Sequence, residues 1–261
     1  MSEDLETVNE HPRSKYVAYT IFRAIFRPIV TILFRGKIIN AKRIPAEGGI
    51  ILTSNHLGAL DPVILAGLAK RHITFPAKIE LYEGKGIKRI VGWFLNAVGM
   101  VPLNRADPKL ANAALQPLIE RVQEGGAIGI YPEGTRSPDG RMYKGKTGVA
   151  RILMATGATV VPFGTFDSHS HRTRIGIPWV TKPKLVIGEP MDLSEYAGRE
   201  VDHELLREIT DKIMKAIWEI TGQEYVDVYG KEMKYHLLPE AEIEAKVLPY
   251  PGAAADGELE G

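Results

Sequence analysis

"GIILTSNHLGALDP", residues 49–62, sets a short apolar run against a polar segment holding one histidine and one aspartate. Gly49–Thr53 reads as a buried strand, short and rich in Ile. The strand ends at Ser54, Gly58 interrupts the loop that follows, and Asp61-Pro62 opens a helix, with Asp as its cap and Pro in its first turn. On a continuous helix, residues five apart point about 140° away from each other. His56 and Asp61 therefore meet only if His56 stands in the loop and faces back toward the helix start. That is the carboxyl end of a strand, where open α/β sheets place ligands. A carboxylate on one imidazole nitrogen selects the tautomer and leaves the other nitrogen as a general base. The same residues also fit a capping Asp beside an unrelated loop His.

The flanking chain extends the pattern. Strands are expected at Gly49–Thr53, His72–Pro76, Ala127–Tyr131, Thr159–Phe163 and Lys184–Ile187. A helix should open at Asp107-Pro108, with Leu110, Ala114, Leu118 and Val122 on one face, and close at Gly125-Gly126. Further helices should cover Lys146–Thr156 and Asp202–Thr221, the latter with a stripe of Leu205, Ile209, Ile213, Ile217 and Ile220. Strands alternating with helices predict an α/β sandwich. The last residues, from "PYPGAAADGELEG", have a disordered composition.

The chain has 261 residues and no cysteine, and its net charge is +1. Disulfides and thiolate metal sites are excluded, and no overall field favours nucleic acid. The charge is uneven. Residues 1–10 carry four acids, whereas His11 to Ala46 hold eight Lys or Arg and no acid. Within that basic stretch lies "YVAYTIFRAIFRPIVTILF", residues 16–34. Arginines break it too often for a bilayer-spanning helix. On a helical wheel Thr20, Arg23, Arg27, Thr31 and Arg35 fall on one side. Ile21, Phe22, Ile25, Phe26, Ile29, Ile32 and Leu33 fall on the other, over roughly 200°. Pro28 should kink or split the helix. A basic, aromatic, amphipathic segment reads as lying in a membrane interface; packing against the core is the alternative. "GIKRIVGWFLNAVGMVP", residues 86–102, with Trp93 and Phe94, fits either lipid contact or core burial.

A second motif stands at 127–140, "AIGIYPEGTRSPDG", where another strand runs into a Pro-Glu-Gly-Thr-Arg loop. Arg136 is a natural fork for phosphate or carboxylate; the alternative is a surface turn with a solvated Arg. His169 and His171 beside Asp167 have metal-like spacing but lack a clear third ligand, and no metal is expected.

In this order and at this separation, "NHLGALD" and "YPEGTRS" resemble the glycerolipid acyltransferase family, in particular 1-acylglycerol-3-phosphate (lysophosphatidate) acyltransferases. Tyr131 stands where the family pattern has Phe. "FPAKIEL", "VGMVPLNR" and "KGKTGVARILMATGATVVPFGT" resemble further family blocks, and the likeness spans about residues 36–190. It implies a glycerol-3-phosphate acyltransferase-type sandwich of a mixed sheet flanked by helices, with an N-terminal amphipathic membrane-interface helix. The implied divisions are 1–35 (acidic tip and membrane helix), 36–247 (acyltransferase domain) and 248–261 (tail). His56 would be the general base and Asp61 would orient it. Lys78, Arg105 and Arg136 would bind the acceptor phosphate at a substrate site shaped by Glu133, Gly134 and Thr135. The donor would be a thioester, acyl-CoA or acyl carrier protein, attacked directly and without a cofactor. The partners would be lysophosphatidate and a phospholipid surface, at the cytoplasmic face of the cell membrane. Another lysophospholipid, glycerol phosphate or a glycolipid is the alternative acceptor. A non-catalytic lipid-binding protein and a metal-assisted hydrolase are the alternatives of a different class.

Overall fold

The computed structural model describes residues 12–79, 82, 86, 89, 92, 95, 99–103, 111–169, 171–172 and 178–253. The strands are β1 (Lys37–Ile39), β2 (Ile50–Ser54), β3 (Ile73–Thr74), β4 (Pro76–Lys78), β5 (Val101–Leu103), β6 (Ala127–Ile130), β7 (Met142–Tyr143), β8 (Thr159–Phe166), β9 (His171–Arg172), β10 (Pro178–Trp179), β11 (Lys184–Ile187), β12 (Tyr225–Val226) and β13 (Val247–Leu248). The helices are α1 (Pro12–Pro28), α2 (Asp61–Leu68), α3 (Ala111–Gln123), α4 (Gly148–Thr156), α5 (His203–Thr221), α6 (Gly230–Lys234) and α7 (Glu240–Glu244).

Six strands form a mixed sheet in the order β1-β11-β8-β2-β6-β3. β2 lies at its centre, parallel to β6 on one side and to β8 on the other. Both of its faces are covered, and all five of its residues are buried. Alternation along the strand divides them between two cores. Ile50 and Leu52 pack with α1 and α2, and Ile51 packs with α3, α4 and α5. The fold is thus the mixed sheet flanked by helices that the resemblance implies.

α5 spans His203–Thr221, and its Leu205, Ile209, Ile213 and Ile217 are buried. Asp202 caps it, accepting the Leu205 N–H at 2.7 Å. Ile220 reaches the sheet against Gly164 and Gly188. The helix expected from Asp107 is observed from Ala111; Asp107–Leu110 lie outside the described residues, as do Trp93 and Phe94.

α1 does not split at Pro28. The chain continues through a π-helical turn, Ile29–Leu33, which Phe34 closes with its N–H on the Ile29 carbonyl at 2.9 Å. Proline has no N–H to donate, and a widened turn accommodates the missing bond. Tyr19, Phe22, Val30 and Phe34 enter the same core as α2. Val17, Ile21, Ile25, Ile32 and Leu33 face outward, with Ile32 76% exposed. The wide apolar arc is therefore shared between the core and the surface. No helix among the described residues is long and apolar enough to cross a membrane.

Order also runs past the expected start of the tail. Leu248 pairs with Tyr225, Tyr250 packs 6.1 Å from Trp218, and Pro251 is buried. Apolar contact with α5 holds this turn despite its loop-like composition. Residues 254–261 lie outside the described residues.

Candidate active site

Two adjacent parallel strands, β2 and β6, deliver the two motifs to one edge of the sheet. After β2, Asn55 turns inward and is 1% exposed. Its side-chain amide donates to the Thr165 carbonyl at 3.0 Å, and its oxygen accepts the Thr165 N–H at 2.8 Å. One side chain thus extends the β2–β8 pairing by another rung. It frees the next residue, His56, to leave the sheet plane. Sequence reasoning gave Asn55 no role; the available signal was an amide placed directly between a strand and the histidine.

His56 Nδ1 lies 2.8 Å from Asp61 Oδ2. The same oxygen accepts the N–H groups of Leu57 and Gly58, both at 2.9 Å. Asp61 was expected to cap α2. Instead it is the first residue of the helix, and its carboxylate reaches back over the loop. Asp61 is 1% exposed, while the imidazole keeps 18% of its side-chain surface. A carboxylate at Nδ1 makes that nitrogen the proton carrier and leaves Nε2 with a free lone pair. Gly58 is required by close approach: a Cβ there would lie 2.0 Å from the Ser168 carbonyl.

Tyr131 stacks on the imidazole, with ring centroids 4.1 Å apart and planes 15° from parallel. Burial, reinforced by the charge of Asp61, raises its phenol well above the ordinary value. It therefore acts as a neutral wall behind His56.

Glu133 lies beneath the loop rather than on its surface. It is 1% exposed, and its two oxygens accept the His56 N–H at 3.3 Å and the Tyr143 N–H at 3.1 Å. Burial pushes its carboxyl up to about 8, against the opposing pull of those two N–H groups. From the other side, the Ser137 N–H reaches the His56 carbonyl at 2.7 Å. The histidine backbone is thus held at both ends by the second motif.

Gly134 turns the loop with a positive φ of 69°. The Thr135 hydroxyl meets Lys234 Nζ at 3.3 Å. Arg136 is exposed and has no hydrogen bond or ion pair among the described residues. The backbone of Lys78 lies in β4, which pairs with β5 in a separate two-stranded sheet; its side chain lies outside the described residues, as does Arg105. The structure therefore brings together His56, Asp61, Glu133, Gly134, Thr135 and Arg136. No group of three metal-ligating side chains occurs among the described residues.

The Acyltransferase family model matches residues 35–165. The 1-acyl-sn-glycerol-3-phosphate acyltransferase of Bacillus subtilis (strain 168) is 28% identical over 188 residues, covering 72% of this chain and 88% of that protein. The chloroplastic 1-acyl-sn-glycerol-3-phosphate acyltransferase LPAT1 of Arabidopsis thaliana is 35% identical over 112 residues, 43% of this chain. The match spans only 30% of that plant protein's length. The crystal structure of the 1-acyl-sn-glycerophosphate (LPA) acyltransferase PlsC from Thermotoga maritima superposes with a TM-score of 0.58 at 24% identity, covering 81% of this chain and 83% of that one.

Proposed function

Because this chain belongs to the acyltransferase family, we propose that it moves a fatty acyl group from a thioester to the free hydroxyl of 1-acylglycerol 3-phosphate, giving phosphatidic acid. The observation that carries the chemistry is the 2.8 Å contact between His56 and a fully enclosed Asp61. In this mechanism Nε2 of His56 takes the proton of the acceptor hydroxyl as its oxygen attacks the thioester carbonyl. Asp61 stabilises the imidazolium that forms. The tetrahedral intermediate collapses, the C–S bond breaks, and the imidazolium returns its proton to the departing thiolate. No acyl-enzyme is formed. Acyl-CoA is the proposed donor, with acyl carrier protein the alternative.

Arg136, exposed beside the histidine loop and without an ion pair among the described residues, supports an anionic acceptor. The relatives' names supply the choice of lysophosphatidate. The acceptor resides in a bilayer, and the outward Ile21, Ile25, Ile32 and Leu33 of the N-terminal helix support a peripheral seat on it, which we place at the cytoplasmic face. The test is acyl transfer from acyl-CoA to a panel of acceptors in mixed micelles, with and without chelator. Preferred, chelator-insensitive turnover of lysophosphatidate is expected. Preference for glycerol phosphate or a glycolipid would move the assignment to that acceptor. Loss of turnover with chelator would replace the mechanism.

A further inference from the structure

We infer that Lys234 is a further cation of the acceptor-phosphate site, contributed by a C-terminal arm that follows the family-matched residues. The inference rests on the phosphate-bearing acceptor proposed above. α6 lies directly on the 133–136 loop. A Cβ at Gly230 would meet the Thr135 methyl at 3.2 Å and Tyr143 at 3.4 Å, tighter than ordinary contact, so glycine favours this close approach of the arm.

The arm is seated firmly. Met233 and Leu238 pack on a small core of Tyr143, Val226, Val228 and Ile243. β12 runs parallel to β7, just beyond the loop. The Lys144 N–H bonds the Val228 carbonyl at 2.9 Å, and its ammonium pairs with Asp227 at 3.0 Å. Arg141 reaches Glu244 at 2.6 Å. These contacts make the position of Lys234 a property of the fold.

Lys234 Nζ touches the Thr135 hydroxyl at 3.3 Å, and no carboxylate pairs with it among the described residues. Thr135 precedes Arg136, which is exposed and has no ion pair among the described residues. Lys234 on α6 touches the loop residue that precedes Arg136, and two cations brought this near one loop favour an anion between them. A phosphate monoester carries enough charge for both, taking the planar fork of Arg136 and the point charge of Lys234. Next to Lys234, Tyr235 and Leu237 are exposed. Apolar side chains flanking an ammonium suit the headgroup level of a lipid whose acyl chain continues into the bilayer.

The test uses the full-length protein carrying Lys234→Met. Its KM for lysophosphatidate should rise about tenfold, with kcat and the KM for the thioester nearly unchanged. Lys234→Arg should restore most of the loss. Turnover of a phosphate-free monoacylglycerol should be unaffected. Combined with Arg136→Ala, the two losses should fall short of multiplying, since both cations hold one phosphate. Calorimetric binding of glycerol 3-phosphate should weaken in parallel. An unchanged KM, or equal losses on both acceptors, would overturn the role of Lys234. A wild-type protein that shows no preference for the phosphate-bearing acceptor would instead overturn the proposed function. The glycerol 3-phosphate titration would still decide the Lys234 site.

Discussion

At the residue scale, His56 depends on three different supports. Asp61 sets its proton, Glu133 holds its backbone N–H, and Asn55 frees it from the sheet. His56→Ala should therefore lower kcat by about 10²- to 10⁴-fold, the usual worth of a general base, with the circular dichroism spectrum retained. Asp61→Asn should cost less, because an amide can still orient the ring but stabilises the imidazolium poorly. Near-normal turnover by a folded His56→Ala protein would remove the mechanism. Arg136 lies on the surface of the loop, so its loss should leave the fold alone. Arg136→Ala should raise the KM for lysophosphatidate by about 10- to 100-fold, the worth of a charge-assisted contact. Arg136→Lys should recover only part, since an ammonium lacks the fork. Equal losses on a phosphate-free acceptor would make Arg136 a structural residue.

At the element scale, the N-terminal helix serves two environments. Its inner side is part of the core: Phe22 is 4% exposed, and the Tyr19 hydroxyl donates to the Arg71 carbonyl at 3.1 Å. Deleting the helix would therefore open the sheet face and confuse unfolding with detachment. Phe22→Ala should cost about 3 to 5 kcal/mol, as truncation of a buried aromatic does, measured by denaturant unfolding. The outer side offers a cleaner test. Ile21→Glu, Ile25→Glu and Ile32→Glu together place charge only on exposed positions. The triple variant should keep its thermal midpoint within a few degrees and lose sedimentation with anionic liposomes. Continued sedimentation would relocate the anchor to another surface. The wide apolar arc of this helix was legible in its sequence. Which part of the arc met the core was not, because apolar residues fill all of it.

At the scale of the whole molecule, one buried carboxyl links stability to pH. In the unfolded chain Glu133 loses its proton near 4.5; in the folded protein it keeps it to about 8. Between these values the native state binds the extra proton, so this group's contribution falls as pH rises and is gone above about 8. The thermal midpoint of the wild type should decline across that window relative to Glu133→Gln, whose side chain does not titrate. Parallel curves would show that the two N–H donors keep the carboxylate charged throughout. Much of this protein is written locally. The strand Ile50–Ser54, the loop and the start of α2 follow from twelve consecutive residues. The His56–Asp61 pair is only five residues apart, so the turn at Gly58 suffices to close it. Those features are set by short-range sterics and apolar periodicity, which a sequence displays directly. His56 lies 77 residues from Glu133, and Thr165 lies 110 residues from Asn55. Lys234 meets Thr135 across 99 residues. Only the parallel alignment of β2 with β6 and β8, and the packing of the C-terminal arm on its own small core, bring these groups within bonding distance. The sequence determined which residues could do the chemistry. Tertiary packing decided which of them face the cleft and which are spent holding it, because direction at a strand end depends on neighbours distant along the chain.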